Sequence, residues 1–291
     1  MGIFPAIATY IAYIFIVMMY TVKAVKYAKM PIHLRWELYP VPKYKSFIGK
    51  FLYVLKDNFT LSEYLERDRV YWAVLYLWHI GFICIITLHI LCFFGAVAMV
   101  LGLTISAESS SVLGWLLYYG TLVAGVVSFF AGAAGSIGLL IKRLTDRELR
   151  PYTSPVNYFN YVFTLVVFLS GLYTWHFVDP TFGEYRQFWT GLIRLSPIEV
   201  EPAAALHILF FALFLIYLPF TRSMHYITRF FAFFWIRWDD RPTVAGGAVE
   251  RKVKKLLEQP ISWSAPHIQA GKKWSEVATQ VKNPKETRKG A

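Results

Sequence analysis

The sequence predicts an all-α integral membrane protein, a bundle of five transmembrane helices followed by a polar tail. Three observations carry that prediction. Of the 291 residues, 56% are hydrophobic and only 16% are charged, a balance typical of membrane chains. Five stretches, at about 3–22, 71–102, 112–141, 157–178 and 203–236, hold the roughly 20 apolar residues needed to cross a ~30 Å hydrocarbon layer. The 30 Lys and Arg residues are also unevenly placed. Ten fall in 23–70, four in 142–150 and fourteen in 222–291, while 104–111 and 179–202 hold only Arg186 and Arg194 beside five acidic residues. Alternate loops are basic, as the positive-inside rule requires of cytoplasmic loops. The formal charge of +12 is therefore topological. It leaves no case for nucleic acid, and leaves acidic lipid or an acidic partner open.

The elements follow in order. Helix one, 3–22, lacks a basic n-region and a small-residue cleavage site, so it reads as a retained span with the N-terminus outside. The cytoplasmic loop 23–70 contains "LRWELYPVPKY" and "KFLYVL", too aromatic for a free linker. Helix two, 71–102, runs outward to the short turn "TISAESSS", and helix three, 112–141, returns to "KRLTDRELR". Helix four, 157–178, runs outward to a loop with "DPTFGEY" and "LSPIEVEP", and helix five, 203–236, comes back in. Residues 1–236 thus form a membrane domain. Residues 237–291 form a basic cytoplasmic tail, helical near 247–258, which cannot bury a core of its own and is expected to dock partner subunits. The chain is a multi-pass protein of the cell membrane on this reading. In helix three, "AGAAGSIG" (131–138) lets helices pack closely in lipid and could equally clear space for a cofactor face, as could Gly81 and Gly171.

Cys84 and Cys92 are eight residues apart on one helix, too far to pair with each other. With no C-x-x-C or C-x-x-C-H, there is no case for an iron–sulfur cluster, a zinc site or a c-type haem.

The chemistry lies in the histidines. "WHIGFICIITLHILC" carries His79 and His89, and "LHILFFALFLIYLPFTRSMHYI" carries His207 and His225. Polar groups at membrane depth are costly and usually pair or bind something. His89 lies about 15 Å further out than His79, and His225 about 27 Å deeper than His207, at 1.5 Å per residue. Eighteen residues make five full turns, so one continuous helix would put His207 and His225 on one face. Antiparallel neighbours then set His89 opposite His207 and His79 opposite His225. Each pair can give both axial nitrogens to one haem iron, the two irons about 20 Å apart along the membrane normal. Such haems transfer electrons and do not bind oxygen. Zinc would need three or four converging ligands, and a proton relay would want acids at depth; neither fits. A transporter would want a helix broken at its site.

Those stretches resemble the di-haem cytochrome b (gamma) subunit of respiratory nitrate reductase over about residues 1–236. The resemblance implies five transmembrane helices, two haem b groups ligated by the same histidine pairs, and a quinol substrate. The loop "MPIHLRWELYPVPKYKSFIGKF" and the basic tail look more like the membrane cytochromes of sulfur metabolism, above all the DsrM subunit of the DsrMKJOP complex (Hdr-like menaquinol oxidoreductase). That likeness implies a quinone-reactive subunit of a quinol:acceptor oxidoreductase. It would exchange electrons between menaquinol and a cytoplasmic iron–sulfur, heterodisulfide-reductase-like subunit in sulfate or sulfite respiration. A nitrate reductase gamma subunit and a haem-free membrane anchor for soluble subunits are the other readings.

Arg222 stands one turn before His225, at the arginine of the family's "PFSR" stretch. It would pair with a haem propionate or serve as a positive-inside anchor, and Lys142 and Arg143 carry the same two readings. The family's quinol-contacting lysine near the outer end of helix three has no counterpart in "SVLGWLLYYGT", where Tyr118 and Tyr119 stand. A quinol site needs a proton acceptor, for which His176 is the first candidate, ahead of Asp179 and Glu108. Its alternative is an aromatic-belt histidine beside Trp175 and Phe177. His33 and His267 read as cytoplasmic surface or partner contacts.

Overall fold

The computed structural model describes residues 3–29, 47–221, 225, 227–228, 245–265 and 268–279. Among them every regular element is helical. The long helices are α1 (Ile3–Lys29), α4 (Arg69–Val100), α5 (Val112–Thr145), α6 (Pro155–Phe177) and α8 (Pro202–Tyr217). Two short helices, α2 (Phe47–Thr60) and α3 (Ser62–Arg67), lead into α4, and α7 (Gly183–Ile193) lies between α6 and α8. α1, α4, α5, α6 and the run Pro202–Phe220 are each long and apolar enough to cross a membrane. The described residues divide into two compact units. The first holds α3 to α8 with α1 up to Tyr20 and α2 from Leu52; the second holds the rest of α1 and α2 and the described residues from His225 onward.

In the first unit α4 packs along α5, α5 against α6, α6 against α8, and α7 folds back onto α4. The α4–α5 seam is built from the small residues of "AGAAGSIG". A Cβ on Gly81 would stand 2.4 Å from the Gly132 Cα, and one on Gly135 would stand 2.3 Å from the Trp78 backbone nitrogen. One on Gly138 would meet the Val74 side chain at 2.5 Å. Backbones this close exclude any side chain between them, which is what small residues at intervals of three supply in an apolar helix. The stripe, and Gly81 with it, serves helix packing.

Three of the long helices, α4, α6 and α8, start at a capping side chain or a proline. Asp68 accepts the Tyr71 N–H at 2.9 Å to open α4; Pro155 and Pro202 stand at the first positions of α6 and α8, where a missing N–H costs nothing; and Glu201 accepts the Ala203 N–H at 2.7 Å. At the end of the bundle where α5 finishes, Lys142 bridges Asp68 and Asp146, each at 2.9 Å. Both carboxyls are held below the usual carboxylate range, Asp68 chiefly by the Tyr71 N–H and Asp146 chiefly by Lys142. Arg143 donates to the Tyr71 hydroxyl at 2.8 Å. Lys142 and Arg143 therefore tie helix ends together.

Two features depart from the sequence-based expectation. The loop between α6 and α8 contains α7, which buries Phe188, Trp189 and Leu192. Its sequence "GEYRQFWTGLI" is too short to span a bilayer, but it is amphipathic enough to cap one end of the bundle. The fifth span is also not one helix over 203–236. α8 ends at Tyr217, a 3-10 turn covers Leu218–Phe220, and Thr221 is extended. Pro219 explains the stop, because its ring removes a backbone donor and crowds the preceding turn. The five-turn argument that put His207 and His225 on one face therefore has no continuous helix beneath it.

In the second unit, α9 (Ala248–Leu257) matches the expected helical run, and α10 (Trp274–Ala278) follows. Between them Pro260 bridges Lys273, Trp263 and Trp274 meet edge-on at 6.2 Å, and Ile261 is buried. Trp263 and Trp274 remain exposed, so Ile261 is the one fully covered apolar side chain among the described tail residues.

Candidate functional site

His79 and His89 are built alike. Each ring turns back along α4, so that His79 Nδ1 meets the Leu75 carbonyl at 2.8 Å and His89 Nδ1 meets the Ile85 carbonyl at 2.7 Å. A carbonyl oxygen only accepts, so Nδ1 carries the hydrogen and Nε2 keeps the lone pair in both rings. His207, on α8, reaches the same state by another route. Its Nδ1 lies 2.9 Å from Ser170 Oγ, and that hydroxyl donates its own hydrogen to the Val167 carbonyl at 3.0 Å. Ser170 must then accept from His207. This is the tautomer and anchoring a metal-ligating imidazole requires.

His89 and His207 line the same two cavities, with about 490 Å³ and about 270 Å³ of empty space. Both cavities are walled mostly by apolar groups. Phe129 stands edge-on to His207 at 6.0 Å, and Phe211 stacks on the His89 ring at 3.9 Å. Among the described residues no three His, Cys, Asp or Glu side chains converge on one point. Two imidazole donors in an apolar slot do not satisfy a bare ion. They do suit a metal that brings its own equatorial ligands, as haem iron does. The residues present fit a haem between His89 and His207. We expect Ser170→Ala to lower retention of that group 10–100-fold, the usual cost of losing an outer-shell partner, as measured by haem content against chelating detergent washes.

α7 and α1 close the site. Phe182, in a left-handed conformation (φ 55°), seats its ring on Gly125, where any Cβ would meet it at 2.1 Å. That places Glu184, Tyr185 and Phe188 on the larger cavity, and Tyr185 on both. The Tyr185 ring stands edge-on to His89 at 5.6 Å, and burial pushes its phenol well above the ordinary value, so it stays a neutral donor. From α1, Thr9 and Tyr13 line the smaller cavity. Tyr10 ties α1 to the Leu192 carbonyl, and Tyr13 stands edge-on to Trp189 at 5.1 Å. The sequence pointed to none of these residues. The one visible signal was the aromatic density of "GEYRQFW" in a loop otherwise rich in Pro and acids.

The remaining candidates fall as follows. His176 is exposed at the end of α6, edge-on to Phe177 at 4.6 Å and 6.0 Å from Trp175. Trp175 lines the larger cavity and His176 does not. Asp179 lines it too, but its two oxygens take the Gly183 N–H at 2.7 Å and the Tyr185 N–H at 2.9 Å. That carboxylate caps α7. Glu108 is exposed in the turn before α5, and Tyr118 lies beneath the Arg186 guanidinium at 5.7 Å. His225 is helical and exposed, in the second unit. Arg222, His33 and His267 lie outside the described residues.

The family model of the nitrate reductase gamma subunit matches residues 33–239. No curated protein and no solved structure matches the chain. The match covers well over half of the chain, which belongs to the nitrate reductase gamma subunit family.

Proposed function

We propose, with that membership as premise, that the chain is the quinone-reactive subunit of a quinol:acceptor oxidoreductase. It takes electrons from menaquinol and delivers them to a cytoplasmic iron–sulfur subunit of heterodisulfide-reductase type, in sulfate or sulfite respiration. Members of the family are membrane cytochrome b subunits of respiratory redox complexes, and such subunits bind haem b. In this chain His89 with His207 would hold one haem b near the outer face, and His79 with His225 a second near the cytoplasm. Once bound, each group supplies one-electron transfer with no open coordination position.

The observation that carries the reading is the shared one at His89 and His207: both line the same apolar cavities with Nδ1 engaged. The chain's own residues then have separable tasks. Ser170 and the Ile85 carbonyl hold the two rings, and Phe129, Phe188 and Phe211 exclude water. Arg222 would pair with a propionate of the inner group. Oxidation of a quinol releases two protons, and His176, exposed at the end of α6, would take one of them toward the outside. The basic loop 23–70 and the tail from 237 would dock the partner subunit, with the N-terminus outside the cell membrane and the C-terminus in the cytoplasm. The family match also favours a nitrate reductase gamma subunit, which a molybdenum-containing nitrate-reducing partner would show.

A reduced-minus-oxidised spectrum of the purified complex, with haem quantified as the pyridine haemochrome, tests the reading. We expect two b-type haems per chain, both reduced by a menaquinol analogue. A colourless protein that still recruits its soluble partners would replace the cytochrome with a membrane anchor.

A further inference from the structure

α2 presents an apolar face that the fold leaves bare. Phe47, Ile48, Phe51, Leu52 and Phe59 are 46% to 69% exposed. At 100° per residue they fall within an arc of about 140°. Half-buried Leu55 lies in the same arc, and Phe47 and Phe51, one turn apart, stack at 6.5 Å. Outside the arc Val54 is buried and Tyr53 half-buried, so the helix meets the protein by another side. Large apolar side chains gathered on one open face mark an interaction surface. The helix has 14 residues, about 21 Å of rise, too short to cross the ~30 Å hydrocarbon layer. Its face needs a cover that a spanning position cannot give.

The end of α2 is fixed at the head of a span. The Trp72 indole N–H donates to the Thr60 carbonyl at 2.8 Å, and Trp72 stands in the first turn of α4. Leu61, left-handed with φ 49°, is buried in one cluster with Leu75 of α4, Leu139 of α5 and Tyr161 of α6. The same end of the bundle carries the bridge from Lys142 to Asp68 and Asp146, charges that belong at the headgroup level of a bilayer. α2 therefore leaves the bundle at the boundary between headgroups and acyl chains. That is the depth at which an amphipathic helix lies along a membrane with its apolar face in lipid. Lys56, exposed at the edge of the arc, can lay its stem over apolar surface and keep its ammonium among the headgroups. We infer that α2 is an interfacial helix, with its apolar arc in the lipid of the leaflet at the Lys142 end of the bundle. A protein partner would have to reach that face at bilayer depth, where lipid already stands. The inference goes beyond the function proposed above and does not depend on haem.

The experiment is photolabelling of the purified wild-type complex in liposomes. The probe is a phosphatidylcholine with a diazirine near the glycerol end of one acyl chain, and adducts are mapped by mass spectrometry. We expect adducts at Ile48, Phe51, Leu52 and Phe59, at a level comparable with Ile141 and Leu144, which are exposed at the same end of α5. In a variant carrying Phe51→Asp and Leu52→Asp, the α2 adducts should be lost while those on α5 remain. An unlabelled α2 beside a labelled α5 in the wild-type complex would overturn the inference. So would a cross-link from the apolar arc to a partner subunit, which would name a protein as the cover, or α2 adducts that persist in the double variant. A colourless complex with α2 labelled would remove the cytochrome reading and leave the interfacial helix in place.

Discussion

Replacing His89 and His207 together with alanine is expected to leave one b haem per chain in place of two, and replacing His79 and His225 together to remove the other. Each single substitution should lose the same haem as its pair, because an iron offered one imidazole in an apolar slot has no second donor to recruit. Quinol-driven reduction of the acceptor should fall by at least about 100-fold in either double variant, since a relay with one carrier missing has no short path across the ~30 Å layer. Loss of both haems from any one of the four substitutions would show a different pairing. The outer half of this prediction has geometry under it: His89 and His207 share two cavities, and each has its Nδ1 engaged. The inner half rests on His79, built on α4 in the same way as His89, and on the spacing of His225 in the sequence.

The second large effect is expected at Gly81. Its Cβ position lies 2.4 Å from the Gly132 Cα and 2.6 Å from the Gly132 nitrogen, so the obstacle is backbone and cannot swing aside. Gly132 has no room to retreat, since its own Cβ position is 2.4 Å from the buried Phe168 ring. Gly81→Ala should cost about 1–3 kcal/mol by overpacking, read as a lowered midpoint of thermal unfolding in detergent. Gly81→Leu should prevent assembly and empty both haem sites, because α4 carries His79 on one side of this contact and His89 on the other. Gly120→Ala is the matched control. Its new methyl would meet only the Leu91 Cδ1, at 3.3 Å, and a side-chain end can yield. Equal effects of the two alanine substitutions would show that the α4–α5 seam tolerates widening.

The candidate ligands were legible because they are rare residues in a monotonous background. His79 and His89 stand out in an apolar run, and the tautomer each adopts follows from the helix itself, which places a carbonyl four residues back. Ser170 was not legible. Nothing in "VVFLSGLY" distinguishes a serine that holds His207 from one that bonds its own helix, and this one does both. The break after Tyr217 was legible in principle, since "YLPFT" places a proline where a helix must stop or bend. Hydropathy passes over it because proline in an apolar run barely lowers the average. Asp179 shows the opposite failure. It stood with Glu108 behind His176 as a candidate proton acceptor; it does line the larger cavity, but its oxygens take the first N–H groups of α7.

Composition and charge placement determined by themselves the helical class and the five apolar spans, and histidine spacing singled out the candidate ligands. The reason is that lipid leaves a chain few options: backbone polar groups must be satisfied within helices, and an imidazole at depth needs a partner. Only the tertiary structure decided what surrounds His89 and His207. α7 reaches them through Tyr185 and through Phe182 seated on Gly125, and α1 through Tyr10 and Tyr13. Those contacts join segments far apart in the sequence, and their geometry depends on how closely α4 and α5 can approach. That distance is set by which residues lack a side chain at the seam, a property of two helices together that neither helix carries alone.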